Sequence, residues 1–302
     1  MSQAELSAVT SISSNKVDRQ NPQIWQEPLR SPEMQAEVER IGTIEPYVGL
    51  IRDRDLFVCL NSWRDRRTCG RIMTVDRLGV FKTLNYYTTQ QTKRRGDLIR
   101  IPAPVAYIEV EATGNARNLF LSILDFLANS VNCGSLRDLR ARTWATIRKC
   151  GVKILIVNYA DLLVFSGLNE LMRIAEKCKI SVVLSGTSRL DEILDTKNRK
   201  KYLSIHNTFL NCHQFSLLSS QEISAVVNGW EQSLNWDRQM NLSTDTEIIK
   251  TLHEVSGGQI QPLYDRLKQI AVWQLDSPSK EINPQNISKL LINAQSPQTG
   301  VG

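Results

Sequence analysis

The sequence predicts an α/β fold in which a parallel sheet, flanked by helices, is followed by a small helical lid. Residues 152–157 and 180–184 are continuous β-branched runs, the pattern of strands covered on both faces. Residues 168–178, between them, repeat their apolar side chains with helical period, so the three segments form a right-handed βαβ unit. After Ser219 no further strand is legible, and amphipathic segments take over.

The other elements follow in chain order. Residues 1–31 are poor in apolar anchors and rich in Ser, Asn and Gln at the start, which predicts a flexible leader. From Pro32, MQAEVERI has i, i+3, i+4 spacing and predicts a helix; residues 55–63 predict a second, ahead of the basic RDRR. Residues 70–75 are a short strand candidate, and residues 81–87 open the helix after it. Residues 104–110 are β-rich and lie between Pro-Ala-Pro and Gly114. Residues 119–127 and 136–150 have helical periodicity, the latter with Leu139, Trp144 and Ile147 inward and its arginines outward. Residues 212–217 supply the fifth strand. Helices are then expected over 220–234, 244–255 and 259–275, the last introduced by Gly257-Gly258. The expected units are a leader (1–31), an α/β domain with N-terminal helices (32–217), a lid (218–276) and a tail (277–302) around the apolar segment 287–292.

Composition excludes several classes. With 41% hydrophobic and 23% charged residues, the 302-residue chain matches a globular protein with a sizeable core. No apolar run is long enough to span a bilayer, and the polar N-terminus lacks the core of a secretion signal, so a cytoplasmic protein is expected. Cys59, Cys69, Cys133, Cys150, Cys178 and Cys212 are dispersed, which predicts reduced, mostly buried thiols. His206 and His213 flank Cys212 at a spacing that suits neither a helix face nor a zinc knuckle, so no metal site is expected. The net charge of +6 is unevenly placed: residues 64–100 hold ten basic residues against Asp65, Asp76 and Asp97. A second cluster follows at Arg137, Arg140, Arg142, Arg148 and Lys149. This bias favours a polyanionic partner, nucleic acid first.

One stretch is informative for what it lacks. Residues 154–161, ILIVNYAD, form an apolar run that in P-loop ATPases ends in a magnesium-holding and a water-activating carboxylate. Asn158 and Tyr159 stand at those two positions. Upstream, residues 74–83, TVDRLGVFKT, lie where a G-x-x-x-x-G-K-[ST] loop is expected.

The order of elements resembles that of AAA+ ATPases. ILIVNYADLL followed by ISVVLSGTSRLDEIL resembles the TniB/TnsC branch, the AAA+ regulators of DNA transposition, including those of CRISPR-associated transposons. That branch typically shows LIIDEA and then VLVGT-x-RL at these places. EMQAEVERI, NGWEQSL and EVSGGQIQPLYDRL are similar to it as well, so the resemblance covers residues 32–276. It implies an AAA+ P-loop-type sheet with a helical lid, a homo- or hetero-oligomer, and partners among TniQ-like proteins, a transposase or an active TnsC-like paralogue.

The departures fall on the nucleotide chemistry. The first loop glycine is absent; with Gly79 as the second, Val80 and Phe81 replace Lys and Ser/Thr, and with Lys82-Thr83 as that pair, Phe81 replaces the glycine. A Phe obstructs a cradle built from exposed backbone N–H groups. Asn158 lacks the charge that helps to hold hydrated magnesium, and Tyr159, neutral at pH 7, is no general base. Residues 204–212, where the family carries an arginine that reaches a neighbour's phosphates, contain no Arg or Lys. Thr187 keeps a polar sensor position, and Gln261 sits near the place of the lid arginine. Hydrolysis is therefore expected to be lost and no cofactor is expected. The open alternatives are an ATP-binding, even ATP-hydrolysing, regulator with a loop around Lys82 and vestigial positions Gly79, Thr83, Thr187 and Gln261, or a pure protein-interaction module.

By the same resemblance, residues 111–117 and 132–140 would face a DNA duplex. Glu111 would repel phosphate; Thr113, which stands where a basic residue is expected, and Arg117, Ser135, Arg137 and Arg140 are candidate contacts for duplex binding without sequence preference. The expectation is a catalytically inactive adaptor between target-selection proteins and a transposase.

Overall fold

Seven strands form two sheets in a computed structural model that describes residues 30–293, except 97, 112–113, 130–132, 195–199 and 237–239. In chain order they are β1 (Gly70–Met73), β2 (Arg94–Arg95), β3 (Leu98–Ile99), β4 (Val105–Glu109), β5 (Ile154–Asn158), β6 (Ser181–Gly186) and β7 (Asn211–Gln214). β2 and β3 make a small antiparallel hairpin. The other five build one parallel sheet in the order β4-β5-β6-β1-β7. β1 is held on both sides, with Ile72 opposite Ser185 of β6 and His213 of β7.

Helices cover both faces, which is why the strands read as unbroken apolar runs. Ala106, Ile108, Leu155, Val157, Val182 and Leu184 pack on one side with α4 (Ala116–Phe126), α5 (Leu136–Lys149) and α6 (Phe165–Cys178). Val105, Tyr107, Ile154, Ile156 and Val183 pack on the other with α2 (Ile51–Arg66) and α3 (Arg77–Gln91). α7 (Ser188–Leu194) and α8 (Leu203–Thr208) lead to β7, and α9 (Ser220–Leu234), α10 (Thr246–Ser256) and α11 (Ile260–Asp276) form the lid.

Two helices change unit. α1 (Pro32–Thr43), capped by the Ser31 hydroxyl on Met34 N, was grouped with the α/β domain by its place in the chain. Its fully buried Ile41 packs instead into the lid core around Trp230, Leu263 and Leu267. α12 (Pro284–Asn293), expected as part of a tail, buries Ile287 and Leu291 in the same core. An amphipathic pattern tells that a helix has a buried face, not which neighbour covers it.

The start of α3 is also corrected. It begins at Arg77, not at residue 81, because the Asp76 carboxylate caps it by accepting from Gly79 N. β7 ends at Gln214, short of the expected 217. The cysteines are all free, but only Cys150 is buried, while Cys133 and Cys212 are exposed. Leader residues 1–29, Thr113 and tail residues 294–302 lie outside the described residues. Among the described residues no helix is long and apolar enough to cross a membrane.

Candidate functional site

The carboxyl ends of β1, β5 and β6 meet at one edge of the sheet, the usual place of a ligand in an open parallel sheet. Between β1 and α3 the chain has only residues 74–76, too few to wrap a phosphate. Where that anion would sit, Asp76 supplies its own. It is 1% exposed. Its Oδ1 accepts from Gly79 N at 3.0 Å, in the first turn of α3, and from Ile260 N at 3.2 Å, the first residue of α11. Two helix N-termini, each with unpaired N–H groups and positive partial charge, thus share one carboxylate.

The countercharge is Arg52, 5% exposed. Its Nη2 lies 2.8 Å from Asp76 Oδ2, and its Nη1 donates to Ser216 O at 2.8 Å. Its guanidinium lies over Phe215 at 4.5 Å, and its backbone N donates to Glu222 of α9 at 3.2 Å. One arginine joins α2, α3, the exit of β7 and the start of the lid.

Glycines make room for this arrangement. A Cβ at Gly79 would lie 2.2 Å from Asp76 Oδ2 and 2.6 Å from Arg52 Nη2, so the ion pair requires glycine there. Gly258, at φ +69°, makes the turn that aims α11 at Asp76, and a Cβ there would meet Leu218 O at 3.0 Å.

Lys82 and Thr83 lie inside α3, not in a loop, so neither backbone N–H is free for phosphate. Lys82 Nζ donates to Glu45 O at 2.7 Å and lies 5.4 Å from the Tyr264 ring centroid. Burial pulls the Lys82 ammonium down and Glu45 resists it. Glu45 also receives Lys268 of α11 at 2.7 Å; against the effect of burial, the two lysines hold its carboxyl below the usual range. Thr83 Oγ1 donates to Asp53 at 2.8 Å, and the Tyr47 hydroxyl and Leu50 N donate to the same carboxylate. Burial pushes Asp53 up, while these donors and Arg52 oppose it. The Tyr264 hydroxyl donates to Pro46 O. What remains of the cleft between residues 46–53, α3 and the lid is ≈ 10 Å³, the volume of one water. Phe81, expected to obstruct a cradle, packs on the α2–α3 core instead.

At the end of β5, Asn158 is 1% exposed and donates to the Tyr107 hydroxyl at 3.0 Å. Tyr159 sits at φ 56°, with Arg77 5.9 Å over its ring. The buried acid is Asp161, whose Oδ2 accepts from Arg77 at 3.2 Å and from Thr187 at 3.1 Å. Gln261 is exposed and bonds Asp265 on its own helix, turned from the cleft. A nucleotide with magnesium would meet Asp76 at the helix N-terminus, a cleft of ≈ 10 Å³, and an Asn158 amide that donates to a phenol. Among the described residues no cluster of three or more His, Cys, Asp or Glu could hold a metal.

The DNA candidates separate. Arg117 Nη1 donates to Gly134 O at 3.1 Å, and Ser135 caps α5 through Asp138. Arg137 is exposed beside them on α5. Arg140 gives one edge of its guanidinium to Glu170, Nη2 at 2.6 Å and Nε at 2.9 Å. Sequence reasoning missed Arg52, Glu45, Asp53 and the role of Asp76. The available signal was an Asp three residues before a glycine at a helix start.

The AAA domain family matches residues 79–194. The chain is similar to Drosophila ORC bound to DNA (13% identity, TM-score 0.56, covering 90% of this chain and 70% of that one). It is similar to the Aeropyrum pernix ORC2 protein in its ADPNP-ADP complexes (12%, TM-score 0.53, 83% and 70%). It is also similar to domain III of the Thermotoga maritima replication initiation protein DnaA (14%, TM-score 0.50, 83% and 95%). No curated protein gives a significant match. The fold is therefore the AAA-type P-loop NTPase fold, a five-stranded parallel sheet flanked by helices.

Asp76→Ala is expected to cost about 3–5 kcal/mol in urea denaturation, because Arg52 loses its buried partner. Asp245→Ala, which removes the ordinary cap of α10, is expected to cost about 1 kcal/mol. Equal losses would contradict the role given to Asp76. Glu45→Gln tests the second contact by pH. Because the folded Glu45 is more acidic than the unfolded one, its contribution of about 1 kcal/mol is present above pH ~5 and fades as pH falls through the folded value. Melting curves of wild type and variant should converge in acid; a constant gap would refute the assignment.

Proposed function

We propose that this chain is a pseudo-ATPase of the AAA+ class, in which the Asp76 carboxylate has replaced the nucleotide's phosphate as the anion that holds lid to body. The carrying observation is the pair of donations from Gly79 N and Ile260 N to one buried oxygen of Asp76. Here the anion is covalently part of α3's cap, so the lid angle does not depend on ATP.

A fixed, hydrolysis-free AAA+ body suits an assembly role. The sequence resemblance in ILIVNYADLL and SGTSRL supports placing that role in DNA transposition, as a DNA-binding adaptor between target-selection proteins and a transposase. The DNA side is supported by the net charge of +6 and by the similar structures, one of which is ORC bound to DNA. Binding is to duplex without sequence preference. Partners are TniQ-like proteins, the transposase or an active TnsC-like paralogue, with which the chain forms a homo- or hetero-oligomer.

With magnesium and duplex DNA present, phosphate release from ATP is expected to equal that of a blank without protein, and 1 mM Mg-ATP (on the order of tenfold or more above the Kd of an ordinary nucleotide site) should leave the melting temperature unchanged. Turnover above the blank that disappears in Lys82→Ala would overturn the proposal in favour of an ATPase built around that lysine.

A further inference from the structure

The edge of the sheet opposite Asp76 carries a different feature. The segments entering β1, β5 and β6 there border an open cleft of ≈ 480 Å³ lined by Arg64, Arg67, Arg148, Lys153 and Lys179. Its one acidic lining residue, Asp65, is paired with Arg64 at 3.0 Å. Among the described residues, Arg67, Arg148, Lys153 and Lys179 have no carboxylate within salt-bridge distance, and all four are exposed. Three other basic residues of the 64–100 run are engaged by carboxylates elsewhere: Arg71 by Asp191, Arg77 by Asp161, Lys82 by Glu45.

Helix C-termini attract cations, and α2, α5 and α6 all end at this edge, so the dipoles account for part of the clustering. They do not account for the backbone. Arg67 and Lys179 each occupy the position that ends a helix in the left-handed region, at φ 55°, where glycine is the ordinary residue. Gly151, at φ +67° in the same cleft, is the residue such a place normally takes. Four further described non-glycine residues, Ala128, Tyr159, Asn235 and Asn241, also have positive φ, but Arg67 and Lys179 are the two of the six that carry a charge, and both line this cleft. A cation kept where glycine would cost less is consistent with a local cost held for a contact.

We propose that this cleft is a duplex DNA-binding surface that grips the phosphate backbone. The assignment rests on the DNA-binding part of the reading above and names its surface, in place of the one expected at residues 132–140. The cations are spread over three chain segments and are exposed, with Arg148 also donating to Lys177 O at 3.1 Å, so they match a string of phosphates better than one small anion, which would need converging buried donors. No aromatic side chain lines the cleft, so there is no platform on which unpaired bases would stack, and the duplex is favoured over a single strand.

The test is Arg67→Gly with Lys179→Gly, a double variant that removes two charges and relieves two strained backbones. Its melting temperature should equal or exceed that of wild type. Binding of a 30-base-pair duplex of arbitrary sequence, followed by fluorescence anisotropy, should show a log K against log salt slope shallower by about 1.8, from about 0.9 per phosphate contact. The affinity gap between wild type and variant should shrink by about twelvefold between ~50 and ~200 mM salt. Lys250→Ala, on α10 away from the cleft, should leave the slope unchanged. Wild-type binding with the full slope retained in the double variant would overturn the cleft and leave DNA binding standing. Absence of duplex binding at low salt would overturn both. A single strand of the same phosphate number that binds more tightly than the duplex would overturn the choice of duplex.

Discussion

The rest of the structure depends on the buried pair of Arg52 and Asp76. Both charges are almost completely out of water, a cost that hydrogen bonds to the remaining donors and acceptors offset. Here Asp76 accepts from Gly79 and Ile260, and Arg52 gives its other terminal nitrogen to Ser216, while its buried Nε is left without a partner among the described residues. The groups that satisfy the pair belong to α3, to the lid and to the exit of β7, so the pair is complete only when those elements are docked. Glu45 with Lys82 and Lys268 repeats the arrangement one turn further along the same seam. Body and lid are thus joined by charges that are covalently part of the chain and always present.

The same chemistry explains why the charge count misleads. Ten basic residues in 64–100 look like one positive surface in sequence. In space Arg71, Arg77 and Lys82 each meet a carboxylate from a distant segment, and Arg140 of the second cluster is clamped by Glu170. Of the cations without a carboxylate partner, Arg67, Arg148, Lys153 and Lys179 are brought together at the ends of α2, α5 and α6 by the parallel topology, which lays the beginnings of β1, β5 and β6 on one edge.

Much of the fold was legible because the physics is local. Residues 154–157 and 182–184 are buried on both faces and apolar throughout, and Leu139 and Ile147 mark the inner side of α5. Asn158 and Tyr159 were readable as replacements because they stand in that run. What was not legible depended on contacts across the chain. Asp76 reads as one acid in a basic stretch; only the approach of Ile260, 184 residues away, gives it a second helix to hold. Ile41 and Ile287 show that their helices are amphipathic, but not that both lie on the lid. Lys82-Thr83 looked like the end of a phosphate loop because a lone dipeptide carries no information on whether it sits before a helix or within one.

Amide hydrogen exchange at Gly79 and Ile260 tests most directly whether an internal carboxylate closes the lid without nucleotide. First-turn amides of a helix have no intrahelical acceptor and exchange rapidly unless something caps them. In nucleotide-free protein both amides should be protected, and protection at both should be lost together in Asp76→Ala. Rapid exchange at these two amides in the wild type, slowed only when Mg-ATP is added, would contradict the account.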